Sequence, residues 1–211
     1  MKRRLITVFA ALLLSGCAST DVGKDYRLGP DSKVGVVTGS VSYSGRFSGY
    51  GVFYRQLPNG ASGTFETGSS MALLPFPDKG DFDQKDLSGT VFAAALPPGD
   101  YEIYSWSVGS GPATVEPTMP FSIRFKVESG RLVYLGNFHF RQTAGMGLTV
   151  TGVNVSYRDS ATRDLPIFRN KFPNLASASI SSSVETGTEQ QNLGGPAATT
   201  IELPLLVPVR R

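Results

Sequence analysis

The sequence predicts an all-β protein, an antiparallel sandwich of roughly seven to nine short strands with one short helix near residues 164–172. Three observations predict it. Apolar and polar residues alternate in short runs, most cleanly where Phe121, Ile123, Phe125 and Val127 oppose Ser122, Arg124, Lys126 and Glu128. Gly-, Pro- and Asn-rich turn signals separate these runs, and 24 glycines with 14 prolines speak against long helices. Forty per cent apolar content over 211 residues is enough for one core, hence one main domain.

At the start of the chain, Lys2, Arg3 and Arg4 precede an apolar run from Leu5 to Leu14, followed by Ser15, Gly16 and Cys17. A basic lead, a short apolar run and small residues predict a secretory signal. The run falls well short of the ~20 residues that a membrane-spanning helix needs. Leu14-Ser15-Gly16-Cys17 resembles the lipobox of bacterial lipoproteins. That resemblance implies diacylation of the Cys17 thiol, cleavage before it and acylation of the new amino group. Residues 1–16 are then a signal peptide, and the partner of Cys17 is a membrane, reached through covalent lipid. Two or more acyl chains hold a protein stably where one is marginal. Ala18 stands where lipoproteins of the inner membrane tend to carry Asp, which favours a cell-envelope location at the outer membrane over the inner. Cys17 is the sole cysteine, so no disulfide forms within the chain. Losing residues 1–16 lowers Lys+Arg from 20 to 17, equal to the 17 Asp+Glu. The high sequence pI therefore belongs to the signal, and no nucleic-acid partner is expected.

Residues 17–33 are polar with Gly and Pro, and are expected to form a flexible tether. The sandwich is expected over 34–175. Strands are read at 34–43, at 50–57 with Tyr50, Val52 and Tyr54 on one face, at 63–76 and at 90–96. Between the last two, Asp78, Asp81, Asp83 and Asp86 offer oxygen ligands, but their register is not that of a calcium loop and Lys79 and Lys85 intrude. A solvated loop and no metal or other cofactor is the expectation. Pro98-Gly99 has turn chemistry and feeds a strand over 100–108. The short Ser129-Gly130 connection predicts an antiparallel hairpin between 121–128 and 131–140, the latter with Leu132, Tyr134, Phe138 and Phe140 on one face. A further strand covers 148–157. Asp164 as N-cap, Pro166 in the first turn, and Leu165, Phe168 and Phe172 at helical spacing predict the helix. Residues 176–211 are expected to be a mostly loose extension with room for an edge strand over 201–207.

Leu96, Pro98, Gly99, Tyr101 and Ile103 resemble the L-x-P-G-x-Y-x-I pattern of transthyretin-like and carboxypeptidase-regulatory-like β-sandwiches. The resemblance implies a sandwich in which this turn leads into a core strand. It brings no catalytic residue with it.

Little in the sequence specifies chemistry. His139 is the only histidine, and strand alternation turns it away from Phe138 and Phe140. It has no second histidine for a metal site, and no Gly-x-Ser-x-Gly elbow accompanies it. The binding candidates are the aromatics Tyr50, Tyr54, Tyr104 and Trp106. Simple alternation puts Tyr104 and Trp106 with Glu102 and Val108, opposite Tyr101, Ile103, Ser105 and Ser107. Large aromatics on one strand face make either core or an exposed stacking platform. The expected function is a lipid-anchored, non-enzymatic envelope lipoprotein that binds or supports another envelope protein or cell-wall component. The alternatives are a carbohydrate- or peptide-binding module using the aromatic face, and an envelope hydrolase.

Overall fold

A computed structural model describes residues 21–69, 80–82 and 84–202. Cys17, Asp78, Asp83 and the expected strand residues 203–207 lie outside the described residues. Twelve strands and one helix follow in order: β1 (Gly35–Ser44), β2 (Gly49–Gln56), β3 (Ser62–Thr67), β4 (Ser88–Leu96), β5 (Gly99–Ser110), β6 (Ala113–Pro117), β7 (Ile123–Val127), β8 (Leu132–Met146), β9 (Thr149–Arg158), α1 (Ala161–Lys171), β10 (Ile180–Ser182), β11 (Glu189–Gln190) and β12 (Ala197–Ile201). They form two sheets facing each other. The first runs β11-β9-β8-β1-β4 with β10 also on β8; the second runs β12-β6-β5-β2-β3 with β7 also on β5. All pairings are antiparallel except those of β1 and β10 with β8. This is the expected all-β sandwich, with more strands than the sequence suggested.

Aromatic side chains fill the space between the sheets. Tyr43 stacks on Tyr50 at 4.4 Å, Phe65 on Phe92 at 4.1 Å, and Trp106 meets Phe140 edge-on at 5.9 Å. Such pairs add about 0.5–1.5 kcal/mol each beyond the area they bury. β1 is buried along nearly its whole length because both of its faces are covered. Val37, Val41 and Tyr43 enter the inter-sheet core, while Val36 joins Val91, Ala93, Leu132, Phe168 and Phe172 in a second cluster under α1.

Two long strands carry bulges that simple alternation misses. On β5, Phe53 pairs Ser105 and Tyr54 pairs Ile103, so one extra residue sits at Tyr104. Tyr101 and Ile103 point inward before the bulge, and Trp106 and Val108 point inward after it. On β8, the register with β1 shifts between Thr38 and Ser40, at Gly136, whose φ is +91°. Leu132 and Tyr134 therefore face outward, whereas Phe138 and Phe140 face inward. The expected common face for all four is corrected by this one-residue shift. Each bulge sits where an edge changes partner: β7 gives way to β6 along β5, and β10 to β9 along β8.

The expected hairpin between 121–128 and 131–140 does not form. β7 pairs with β5 in the second sheet, and β8 belongs to the first. The Ser129-Gly130 corner is tied instead to the start of β1, through Gly130 N–H to Val34 O at 2.9 Å. The helix starts three residues earlier than expected, after Ser160, with Asp159 accepting from the Ala161 N–H at 3.0 Å. Asp164 is free of the capping role and turns to the sheet.

The expected tether is docked from Asp21 onward. Asp21 bridges Ala94, Val22 N–H bonds Ala93 O at 3.0 Å, and Val22, Tyr26 and Leu28 join the cluster under α1. The extension is likewise docked as far as Glu202. β10, β11 and β12 pair with β8, β9 and β6, and Val184 and Leu193 are buried. Both segments are too polar to fold alone, and each is ordered by edges and apolar patches that the sandwich supplies.

Candidate functional site

Three of the four aromatic candidates are core. Tyr50, Tyr54 and Trp106 are each 1% exposed, and the Trp106 Nε1–H donates to Leu193 O at 2.7 Å. They cannot stack on a ligand from solvent, and the aromatic platform is corrected to a core assignment. Burial pushes the Tyr50 hydroxyl well above its ordinary value. Tyr104, turned out by the bulge, lies on the opposite face of the sheet. There it packs under the Arg55 guanidinium at 4.5 Å, and Arg55 pairs with Glu102 at 2.6 Å. A hydrogen bond from Ser122 and then the Arg55 contact hold the Glu102 carboxyl below its ordinary range.

The polar chemistry collects elsewhere, on the outer face of the first sheet. Alternation along β1 leaves Thr38, Ser40, Ser42 and Ser44 pointing away from the core. The register sets Ser40 beside Asn137 and Arg158, Ser42 beside His139 and Ser156, and Ser44 beside Arg141 and Asn154. Three rows of polar side chains thus cross β1, β8 and β9. Helix α1 covers the β1 end of the first row, at Ser40, and leaves half-buried Arg158 on β9 and the third row uncovered, so exposure rises from buried Ser40 to exposed Arg141.

Under the helix the network is saturated. Asp164 accepts from Ser40 Oγ at 2.6 Å, from Tyr134 OH at 2.8 Å and from Arg163 Nε at 2.8 Å. Arg163 also donates to Ser40 Oγ at 3.1 Å and lies over the Phe82 ring at 4.3 Å. Desolvation, then the charge of Asp164, pushes the Tyr134 hydroxyl far above its ordinary value, so it stays a donor. Among the described residues no buried side-chain nitrogen or oxygen lacks a partner. A buried carboxylate and guanidinium are tolerable only under such complete pairing.

Toward the open side a directed chain begins. Arg158 Nε donates to Asn137 Oδ1 at 3.2 Å, and Asn137 Nδ2 donates to Ser42 Oγ at 2.9 Å. Ser42 has its hydrogen left for His139 Nδ1, 3.0 Å away. Burial first, then Arg158, Arg163 and Arg141, lowers the His139 pKa from 6.5 to about 4, so the ring is neutral at pH 7. In the tautomer that accepts from Ser42 at Nδ1, Nε2 carries the proton and faces Ser44 Oγ, 3.4 Å away.

The Ser42–His139 contact is the closest approach to a hydrolase arrangement. Asp164 is bonded to Ser40, Tyr134 and Arg163 and does not orient His139, and Ser42 is fully buried. A nucleophile must reach substrate and its base must be held by a third group. Of the four aspartates weighed for calcium, Asp81 is bonded to the Val91 N–H at 2.7 Å and to Lys171 at 2.6 Å. Among the described residues no three potential ligands gather for a metal.

The neutral His139 has a measurable consequence. Its folded pKa lies below its unfolded value, so between pH 6.5 and about 4 the unfolded chain binds a proton that the folded one refuses. Stability is full above pH 6.5 and falls as pH drops toward 4, by about 2 kcal/mol for a partly exposed ring. Urea unfolding at pH 7.5 and pH 4.5 checks this: His139→Asn, which retains an acceptor near Nδ1, is expected to lose about 2 kcal/mol less than wild type. Equal losses in the two proteins would refute it.

Compared with known proteins, the chain matches no family model, no curated protein and no solved structure. The outer-face residues escaped sequence reading because a polar alternation on a strand normally means solvent. The usable signal was the residue type: Thr38, Ser40, Ser42 and Ser44 are small hydroxyl residues, suited to a covered face, where an exposed one would carry Lys or Glu.

Proposed function

We propose that the protein is a lipid-anchored, non-enzymatic binding module of the bacterial cell envelope, held at the outer membrane through Cys17. The observation that carries this reading is the Leu14-Ser15-Gly16-Cys17 motif after a short apolar run. Its spacing to the domain supports it: only Ala18, Ser19 and Thr20 separate Cys17 from Asp21, where docking on β4 begins. The bridge to β4 lies near the end of the sandwich where β1 and β8 start. That end is the one nearest the lipid, and the opposite end and the flanks are left to a partner. The Pro98-Gly99 entry into β5 fits kinship with transthyretin-like sandwiches, which serve widely as accessory modules. The fixed, internally paired polar network on the outer face suits holding a ligand more than breaking a bond.

Cells fed labelled palmitate test the anchor. Label is expected on the wild-type chain and absent from Cys17→Ala, with the variant moving to the soluble fraction. Label that survives the substitution, or membrane retention without it, would overturn the reading.

A further inference from the structure

We propose that the open side of the outer polar face, formed by His139, Arg141, Arg158 and Ser44, is a binding site for a phosphate group carried on a soluble or polymeric ligand. The hydrogen-bond directions carry this. Three acceptors of the network are engaged from within: Asp164 by Ser40, Tyr134 and Arg163, Asn137 Oδ1 by Arg158, and His139 Nδ1 by Ser42. Beside His139, Arg158 and Arg141 carry further donor nitrogens on the neighbouring rows, while His139 Nε2 faces Ser44 Oγ at 3.4 Å. Among the described residues neither Arg141 nor Arg158 has an ion-pair partner. Two carboxylates flank Arg158: Glu189, its cross-strand neighbour on β11, accepts from Gln191 Nε2 at 2.6 Å, and Asp159 accepts from the Ala161 and Gly187 N–H groups. The field at His139 is cationic, since three arginines oppose its protonation. Donors come from three adjacent strands, Ser44 on β1, His139 and Arg141 on β8, and Arg158 on β9. That arrangement suits a tetrahedral anion with several free oxygens better than a planar carboxylate, and arginine pairs well with phosphate.

Placement separates a soluble ligand from a lipid headgroup. Asp21 bridges Ala94, level with Val37, whereas His139 is level with Ser42. The two levels are five residue steps apart, about 17 Å along β1. The site is on the flank, displaced along β1 from the point where Asp21 is docked. It rests on the binding-module reading for its purpose only; the palmitate experiment can fail while this site stands, and the reverse.

His139 is the sole histidine, so its ring protons are a single reporter by NMR. In the detergent-solubilised full chain at pH 7 and low salt, inorganic phosphate is expected to shift them saturably. Arg141→Ala, at an exposed position, is expected to weaken binding at least tenfold, and Arg158→Met likewise. Arg55→Ala, on the other sheet, leaves it unchanged, and acetate binds at least tenfold more weakly. The proposal is overturned by no saturable shift up to tens of millimolar phosphate, by affinity indifferent to Arg141→Ala, by acetate binding as well as phosphate, or by a shift that only phosphatidylglycerol vesicles produce.

Discussion

Asp164→Ala is expected to destabilise the domain by about 3–5 kcal/mol, the cost of removing one partner from a buried charge pair. Asp164 is 1% exposed, and its two oxygens satisfy Ser40, Tyr134 and Arg163 together. Truncation leaves a guanidinium only 17% exposed without its counter-charge and two hydroxyl donors without acceptors. It also unties α1 from the sheet, because Asp164 is the helix residue that reaches β1 and β8 at once. Asp164→Asn keeps the shape and one acceptor oxygen, and an intermediate loss of about 2 kcal/mol is expected, since hydrogen bonds to charged groups exceed neutral ones by this order. Urea unfolding of the three proteins checks the series. Two variants within about 0.5 kcal/mol of wild type would mean that the network contributes nothing net.

Trp106→Ala is expected to cost a similar amount, about 3–5 kcal/mol, through a different cause: a large cavity between the sheets. The ring meets Phe140 edge-on and its N–H holds Leu193 O. Trp106→Phe separates the two contributions. It restores most of the packing but leaves a buried carbonyl without its donor, which costs about 1–3 kcal/mol. Because Leu193 belongs to the C-terminal extension, Trp106→Phe is also expected to raise amide exchange around residues 190–196 before the rest of the domain opens. In the wild type the single tryptophan is expected to resist acrylamide quenching. Ready quenching would place it at the surface and restore it as a binding candidate.

How far the sequence could be read depended on the kind of residue carrying the signal. The strand over 123–127 was plain, because Phe125 and Val127 alternate with Arg124 and Lys126 and nothing interrupts them. Along 100–108 the same logic grouped Glu102 and Tyr104 with Trp106 and Val108 and set Tyr101 and Ile103 opposite, because the Tyr104 bulge inserts one residue that no Gly or Pro announces. Along 131–140 the same logic set Leu132 and Tyr134 on the face of Phe138 and Phe140, because the bulge at Gly136 reverses the facing without disturbing the apolar pattern. Partner choice was less legible still. Ser129-Gly130 has good hairpin chemistry, yet the chain turns there from one sheet to the other, because β7 completes an open edge of β5. The polar site was illegible for a related reason: its members come from β1, β8, β9 and α1, and pairing register alone makes them neighbours.

The central place of β1 sets how the domain responds to tension. Its ladders run along both sides for most of its length, to β4 from Gly35 to Tyr43 and to β8 from Val36 to Ser44. The chain enters it at the end near which the segment starting at Asp21 is docked on β4. A pull on that segment, resisted by a ligand held on the flank or far end, acts parallel to β1. Once Asp21 and Val22 peel from β4, the force strains the hydrogen bonds of two ladders in shear, all at once, where a peripheral hairpin would unzip one bond at a time. A protein drawn between a membrane and something it grips would thus yield last at the strand that carries the hydroxyl rows of its polar face.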